Sequence, residues 1–192
     1  MRISKVTKNS YVNGPGRRNV LHVQGCTIGC PGCFNSHTWS AEKGTVTPWH
    51  KVYEDLVSGD PDGITISGGE PTEQWSPIMT ILERVRLCHP DMSVIMFTGI
   101  TYEDLKKKPF WDADGSRFFD LIVAGPYRRD LACNEPLWGS TNQELVFITN
   151  RISKESLDDI PDVEVHIDGD TATIAGFPTR GVSLGLMRAL KE

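Results

Sequence analysis

The sequence has 192 residues and a formal net charge of −5, with 39% hydrophobic and 23% charged residues. This length suits one domain with a small appendage, and the composition excludes a disordered chain. The acidic balance argues against general nucleic-acid binding, and no apolar stretch is long enough to span a membrane.

The predicted elements alternate between strands and helices, which is the pattern of a parallel α/β fold. Strands are predicted at residues 19–24, 63–67, 93–97, 119–124 and 145–149, and helices at residues 48–57, 76–88 and around 102–107. In the second of these helices an apolar stripe should be buried, because four residues have helical spacing: Ile78, Ile81, Leu82 and Val85.

The pattern changes beyond residue 150. Two short strands, at residues 163–167 and 171–175, flank an Asp-Gly-Asp sequence, which predicts a β-hairpin. A short helix is predicted around residues 183–190. We therefore expect a core domain of residues 1–150 and a C-terminal extension of residues 151–192.

Four motifs directly follow predicted strands. They are the cysteine-rich segment 26–33, the segment 67–70, the pair 98–99, and Gly125. In parallel α/β folds the loops after the strands gather at one edge of the sheet, and ligands bind there. The sequence therefore predicts that the four motifs share one face of the protein.

The cysteine-rich segment is the strongest sign of a cofactor. Cys26, Cys30 and Cys33 have the spacing C-x3-C-x2-C, and five cysteines in all form a poor disulfide framework. Thiolates hold iron–sulfur clusters, and a complete protein cage needs four of them. Three thiolates leave one iron open to an external ligand, which is what a metal site needs for chemistry.

The spacing alone also fits two other kinds of metal site. One is a zinc site with His22 or His37 as the fourth ligand, and the other is a ferredoxin site with a fourth cysteine. Cys88 continues the apolar stripe of its helix and is expected to be a core thiol, whereas Cys133 lies in a polar loop. The N-terminus lacks the apolar core of a secretory signal, so we expect the protein in the cytoplasm, where thiols stay reduced.

The motifs together resemble the radical S-adenosylmethionine superfamily. Within it, the sequence resembles the family of anaerobic ribonucleoside-triphosphate reductase-activating proteins, which are glycyl-radical activases. The resemblance spans about residues 10–150 and is carried by VNGPGRR (12–18), GCTIGCPGCFNSHTW (25–39), SGGEPTEQ (67–74), FTGITYEDL (97–105), DLIVAGPY (120–127) and WGSTNQ (138–143).

This resemblance implies a partial parallel β/α barrel, here with a C-terminal hairpin and helix as an extension. It also implies that Cys26, Cys30 and Cys33 ligate three irons of a 4Fe-4S cluster, and that S-adenosyl-L-methionine chelates the fourth. The segment that contacts the amino group of this ligand matches Ser67, Gly68, Gly69 and Glu70. Two glycines allow backbone carbonyls to approach an ammonium group, and a carboxylate offsets its charge.

Further residues are assigned by the same resemblance. Gly32, Cys33 and Phe34 match the segment that holds the adenine end, and Arg18 matches an arginine that would meet the ligand carboxylate, whereas Arg17 is expected at the surface. Candidates for the ribose or the carboxylate are Thr98, Ser140 and Asn142. Packing rather than catalysis is expected of Trp39, Trp75 and Trp138.

The implied reaction is reductive cleavage of S-adenosylmethionine to a 5′-deoxyadenosyl radical. This radical would abstract hydrogen from a glycine of a large partner, an anaerobic ribonucleotide reductase. A flavodoxin-like or ferredoxin-like protein would supply the electron. The cofactor carries this chemistry, so no acid–base residue of the protein is required.

Two alternatives remain because residues 151–192 match no activase motif. The first is a radical enzyme that modifies another peptide or a small molecule, with a site closed by this extension. The second is a non-catalytic iron–sulfur or zinc module with a complete set of protein ligands. Within the extension, His166 is interpreted as a polar hairpin residue and Gly176 as part of a turn.

Overall fold

Seven strands form the central sheet in the computed structural model, which describes residues 1–112, 115–169 and 171–176. The strands are β1 (Arg2–Ser10), β2 (Arg18–Val23), β3 (Thr45–Val46), β4 (Gly63–Gly68), β5 (Ser93–Thr98), β6 (Leu121–Ala124) and β7 (Glu144–Phe147). The order across the sheet is β3-β1-β2-β4-β5-β6-β7.

The centre of the sheet is parallel and both edges are antiparallel. Neighbouring strands in the series β2, β4, β5 and β6 run parallel, whereas β1 and β3 add one antiparallel edge and β7 adds the other. This mixed α/β sheet with a parallel centre confirms the predicted α/β class. The sequence analysis missed β1 and β3, because β1 is only partly buried and β3 has two exposed residues.

In the described part of the chain, four helices accompany the sheet: α1 (Trp49–Val57), α2 (Trp75–Cys88), α3 (Tyr102–Lys106) and α4 (Pro109–Asp112). Single 3-10 turns lie at Ser36–Thr38, Pro71–Gln74, Gly115–Phe118, Arg129–Leu131 and Glu155–Leu157. The predicted stripe of α2 is fully buried in the core that this helix forms with α1 and one face of the sheet. No helix in the described part of the chain is long and apolar enough to cross a membrane.

Cys88 is exposed, and its predicted place in the core is wrong. The buried stripe of α2 ends at Val85, and Cys88 is the last residue of the helix. At that end the thiol contacts the side chain of Tyr53 on α1. Helical spacing therefore continues past the point where the core beneath the helix ends.

A second apolar cluster covers the opposite face of the sheet. Ile95 and Leu121 project from the strands on this side, and Leu137 packs on them from the loop between β6 and β7. Three residues from the start of the expected extension complete the cluster: Ile152, Leu157 and Ile160. Burial of these side chains ties residues 152–160 to the core.

A separate hairpin follows, made of β8 (Val163–Asp168) and β9 (Thr171–Gly176) in antiparallel pairing, which confirms the predicted hairpin. Its Glu164 accepts a hydrogen bond of 2.7 Å from the backbone N–H of Tyr11, and His166 lies beside Glu164 with 2.9 Å between Nε2 and Oε1. The helix predicted around residues 183–190 lies outside the described residues.

Candidate metal centre

The parallel strands end in register, so the loops after them meet at one edge of the sheet. Val23 at the end of β2 pairs with Gly68 at the end of β4, and Thr98 at the end of β5 pairs with Ala124 at the end of β6. The cysteine loop, Gly99 and Gly125 follow the ends of β2, β5 and β6, and the SGGE segment includes the last two residues of β4. All four predicted motifs therefore lie at the carboxyl edge of the parallel strands.

The cysteine loop is closed by backbone hydrogen bonds at its base. Gly25 N–H donates to Thr38 O at 2.8 Å, and Cys26 N–H donates to Trp39 O at 3.0 Å. Within the loop, Cys33 N–H donates to Cys30 O at 3.0 Å. All three thiols of the loop are free and only partly buried.

The cysteine loop and the SGGE segment approach each other at backbone distance. Glu70 N–H donates to Gly25 O at 2.8 Å, and Gly69 N–H donates to Val23 O at 2.8 Å. A Cβ atom on Gly69 would collide with the carbonyl oxygen of Gly25. Glycine at position 69 is therefore a steric requirement of this contact.

The carboxylate of Glu70 is buried and saturated by the protein itself. Its Oε1 accepts from Thr72 N–H at 3.0 Å, Thr72 Oγ1 at 2.7 Å and Thr98 Oγ1 at 2.8 Å. Its Oε2 accepts from Gly99 N–H at 2.8 Å. Glu70 thus joins the end of β4 to the end of β5, and the Thr98 hydroxyl is engaged in this joint.

The loop after β6 contacts the cysteine loop from another side. The rings of Phe34 and Tyr127 meet edge to face with centroids 5.2 Å apart, while 59% of Phe34 remains exposed. A Cβ atom on Gly32 would lie 3.2 Å from Arg129 Cδ and 3.6 Å from Tyr127 Cε1. A pocket lies here, lined by Pro31, Tyr127, Arg128, Arg129 and Asp130.

The predicted residues Ser140 and Asn142 stabilise this loop after β6. The Ser140 hydroxyl accepts from Arg128 N–H at 3.0 Å, and Asn142 Nδ2 donates to Pro126 O at 2.8 Å. Gln143, which the sequence analysis did not single out, accepts from Gly139 N–H at 2.9 Å and donates to Gly125 O at 3.0 Å. The WGSTNQ motif therefore shapes the loop that borders the cysteines.

Burial and nearby carboxylates raise the pKa of the Cys26 and Cys30 thiols. Desolvation is the largest cause for Cys26 and Cys30, and the charges of Glu70 and Glu73 add to it at Cys26. A hydrogen bond from the Tyr127 backbone acts in the opposite direction at Cys30. Without a bound cation the two thiols therefore remain protonated near neutral pH, and metal binding must release their protons.

The described residues do not form a site for a single metal ion. Among residues 1–112, 115–169 and 171–176, no three His, Cys, Asp or Glu side chains are gathered around one ion position. The thiolates of a cluster bind different irons and are therefore spaced more widely. His22, a ligand in the zinc alternative, has its Nε2 3.2 Å from Thr7 Oγ1, and burial lowers its pKa to about 4.

Neither remaining cysteine is part of the loop. Cys88 is at the end of α2, and Cys133 Sγ donates to Trp138 O over 3.8 Å. The packing role of Trp75 is confirmed, because its ring lies against Phe110 and Phe119.

Arg18 lies at the wrong end of the sheet for the role suggested by the resemblance. It is five residues before Val23, about 16 Å along β2 at about 3.3 Å per residue. Its fully buried guanidinium donates to Thr65 Oγ1 at 2.8 Å, to Ile64 O at 2.6 Å and to both oxygens of Ser93. These bonds compensate a burial that lowers its pKa to about 9. Arg17, in contrast, is only partly buried.

Glu73 and Thr27 form a contact that the sequence analysis did not identify. Glu73 Oε1 accepts from Thr27 N–H at 2.8 Å and from Thr27 Oγ1 at 2.6 Å. Thr27 directly follows Cys26, so this contact fixes the peptide next to the first thiol. The position of Glu73 in the SGGEPTEQ block was the only available signal.

Comparisons with known proteins indicate an iron–sulfur domain in this chain. A family model described as a 4Fe-4S single cluster domain matches residues 12–146. The anaerobic ribonucleoside-triphosphate reductase-activating protein of Enterobacteria phage T4 is 30% identical over 80% of this chain and 99% of its own length. The proteins of the same name from Escherichia coli K12 and Salmonella typhimurium are 32% and 31% identical, over 89% and 96% of their lengths and 69% and 74% of this chain.

Proposed function

This chain belongs to the family of anaerobic ribonucleoside-triphosphate reductase-activating proteins and is an enzyme of the radical S-adenosylmethionine type, and we propose that it installs a radical on a glycine of an anaerobic ribonucleotide reductase. The observation that carries this proposal is the position of the cysteine loop. Three free thiols lie at the carboxyl edge of the parallel strands. The backbone just before the first of them is hydrogen-bonded to the glycine-rich segment. A three-thiolate cluster and a second ligand would be neighbours there.

In this proposal Cys26, Cys30 and Cys33 hold a 4Fe-4S cluster with one iron left for S-adenosylmethionine. The bound cluster would supply one electron to cleave the S–C5′ bond, which gives methionine and a 5′-deoxyadenosyl radical. Transfer of a hydrogen atom from the partner glycine to this radical would give 5′-deoxyadenosine and a glycyl radical. A flavodoxin-like or ferredoxin-like protein is the proposed source of the electron.

The SGGE segment is proposed to bind the amino group of S-adenosylmethionine through its backbone. Ser67, Gly68 and Gly69 are partly exposed at the edge of the sheet, and carbonyl groups there can accept from an ammonium group. Glu70 supports this segment from behind, because four protein donors already use its carboxylate. Its charge still favours a cation nearby.

The adenine end is assigned to Gly32, Cys33 and Phe34. The exposed ring of Phe34 offers an aromatic face, and Tyr127 holds it edge to face. Thr98 contributes through Glu70 rather than by its own hydroxyl, which is already donated. Ser140 and Asn142 contribute by shaping the loop that carries Tyr127.

We further propose that the sheet is a partial barrel of the radical S-adenosylmethionine type, with a side open to a protein substrate. The arrangement of the described part of the extension supports this view. Residues 152–160 pack on the sheet face opposite α1 and α2, and the hairpin bonds to Tyr11, just beyond the end of β1 that pairs with the start of β2. A small-molecule site closed by the extension would require contacts between the extension and the cysteine loop. The contacts described here do not involve that loop.

Anaerobic reconstitution tests the proposal directly. The protein is loaded with iron and sulfide, reduced with dithionite and supplied with S-adenosylmethionine, and 5′-deoxyadenosine is measured. Addition of an anaerobic ribonucleotide reductase should then produce a glycyl-radical signal in electron paramagnetic resonance. Cleavage without that signal would favour another peptide or a small molecule as substrate, and a site with four protein ligands and no cleavage would contradict both enzyme interpretations.

A further inference from the structure

The 3-10 turn Pro71–Gln74 that follows the SGGE segment is anchored on both sides. Thr72 is bonded to Glu70, as described above. Gln74 Nε2 donates to Gln24 O at 2.9 Å and to Arg2 O at 2.7 Å, and Gln74 Oε1 accepts from Arg2 N–H at 2.6 Å. Glu73 therefore projects from a backbone whose neighbours on each side are fixed.

From this turn Glu73 binds the cysteine loop with a single carboxylate oxygen. The bonds from Thr27 N–H and Thr27 Oγ1 measure 2.8 Å and 2.6 Å, and hydrogen bonds to an ionised acceptor are among the stronger ones in proteins. The Thr27 N–H belongs to the peptide that follows Cys26. Among the hydrogen bonds of the described residues, this is the only side-chain carboxylate that binds the segment from Cys26 to Cys33.

Glu73 also places a negative charge beside the first thiol. The two bonds from Thr27 hold its carboxylate one residue from Cys26 in the chain. The same charge acts on any redox group that Cys26 holds, because reduction adds an electron and a nearby anion disfavours it. A low reduction potential is what reductive cleavage of a sulfonium requires.

We propose that Glu73 is a positioning residue that fixes the Cys26–Thr27 peptide and lowers the reduction potential of the cluster bound by the loop. The first part concerns the protein without cofactor, and the second rests on the proposed function. The residue does not touch the reacting atoms. It acts through Thr27 and through its charge.

Two substitutions of Glu73 distinguish the effect of its hydrogen bonds to Thr27 from the effect of its negative charge. Glu73→Gln keeps an oxygen that accepts both bonds from Thr27 but removes the charge, whereas Glu73→Ala removes both. Glu54→Gln is the matched charge control, because Glu54 is exposed on α1 and pairs with Lys51. Thr27→Ser keeps both donors, so the amide at position 27 should stay protected.

The first measurement is hydrogen exchange at the Thr27 amide by NMR in the full-length, cluster-free protein. Glu73→Ala should exchange about tenfold faster at this amide, and Glu73→Gln should stay within about threefold of the unmodified protein. Wild-type protection of the amide in Glu73→Ala would overturn the proposal. This experiment needs no cluster, so its result is independent of the proposed function.

The second measurement is a redox titration of the reconstituted cluster, followed by electron paramagnetic resonance. At a fixed solution potential, the ratio of reduced to oxidised cluster should be about three- to tenfold higher in Glu73→Gln, equal to an upward shift of about 30–60 mV for one electron. Glu54→Gln should titrate like the unmodified protein. An unshifted potential in Glu73→Gln would overturn the proposal, whereas failure of the unmodified protein to take up any cluster would instead contradict the proposed function.

Discussion

The hydroxyl of Thr98 donates a hydrogen bond of 2.8 Å to the carboxylate of Glu70, and this bond joins the ends of two parallel strands beneath the candidate metal centre. Both residues are buried, with 4% and 2% of their surfaces exposed. A bond to an ionised acceptor in such surroundings is worth more than one in water. The bond between Glu70 and Thr98 therefore holds the glycine-rich segment rigidly at the end of β4.

Replacement of Thr98 by Val should lower the free energy of unfolding by about 2 kcal/mol, because the buried carboxylate loses a donor without a loss of side-chain volume. Thr80→Val is the matched control. The Thr80 hydroxyl donates to Ser76 O on the exposed side of α2, so its loss should cost about 0.5 kcal/mol or less. Urea unfolding followed by circular dichroism measures both. Equal losses in the two variants would contradict the importance of the Glu70–Thr98 bond.

The cysteine loop predicts a clear division among the five thiols. Alanine at position 26, 30 or 33 should abolish cluster binding and 5′-deoxyadenosine formation, because each change removes one of three ligands. Cys88→Ala and Cys133→Ala should retain both, since neither thiol belongs to the loop. Iron content and the absorbance of the cluster after anaerobic reconstitution provide the measurement.

Complete loss of the cluster in Cys133→Ala would indicate a fourth protein ligand. The external ligand would then have no open iron, and the radical chemistry would be excluded. Cys88→Ala serves as the control for the loss of a thiol as such.

Two glycines of the site should respond differently to alanine. Gly69→Ala brings a methyl group into the carbonyl oxygen of Gly25, so it should cost about 3 kcal/mol and prevent cluster binding. Gly29 has a positive φ of 61° but no neighbouring atom within 4 Å, so Gly29→Ala should cost about 1–2 kcal/mol from backbone strain alone. Thermal unfolding and iron content are measured for both. A milder effect at Gly69 than at Gly29 would contradict the close contact of the two loops.

Much of this site was predictable because it depends on local sequence. The C-x3-C-x2-C spacing and the strand before it are both local features, and register between parallel strands brings the motifs to one edge. The binding of the Glu70 carboxylate by four donors of the protein was not predictable in the same way. Its partners Thr98 and Gly99 are 28 and 29 residues away in the chain, and nothing in the SGGE segment indicates them.

The errors have physical reasons as well. Arg18 lies in a motif shared with the family, but the motif does not state at which end of its strand the guanidinium is buried. Cys88 follows the spacing of a buried stripe, yet the helix ends there and no core lies beneath it. Periodicity describes the direction of a side chain and not the extent of the surface that it faces.

The raised pKa values of Cys26 and Cys30 predict the pH dependence of thiol alkylation in the cluster-free protein. Only the thiolate reacts, and burial disfavours it. Alkylation by iodoacetamide should therefore reach half its maximal rate at a higher pH at these two residues than in an unstructured cysteine peptide. Rates at each thiol follow from peptide mass spectrometry. A midpoint below that of the peptide would show that the loop stabilises thiolates before any metal binds.

Arg18 gives the sharpest test of a corrected assignment. Its guanidinium is fully buried and donates to Thr65, Ile64 and Ser93, so Arg18→Gln should lower the free energy of unfolding by about 3 kcal/mol. Arg17→Gln is the matched control. Arg17 is only partly buried and donates to the carbonyl groups of Gly59 and Asp60, and its loss should cost about 1 kcal/mol or less.

The same pair of variants distinguishes a structural role from ligand binding. Because Arg18 lies about 16 Å along β2 from the end that carries the cysteine loop, folded Arg18→Gln protein should bind S-adenosylmethionine with the affinity of the unmodified enzyme. Equilibrium binding to the reconstituted enzyme at low temperature, where the variant is folded, measures this affinity. A tenfold or greater loss of affinity with unchanged stability would contradict this correction. It would show that Arg18 contacts the ligand carboxylate, since only direct contact could lower the affinity without lowering the stability.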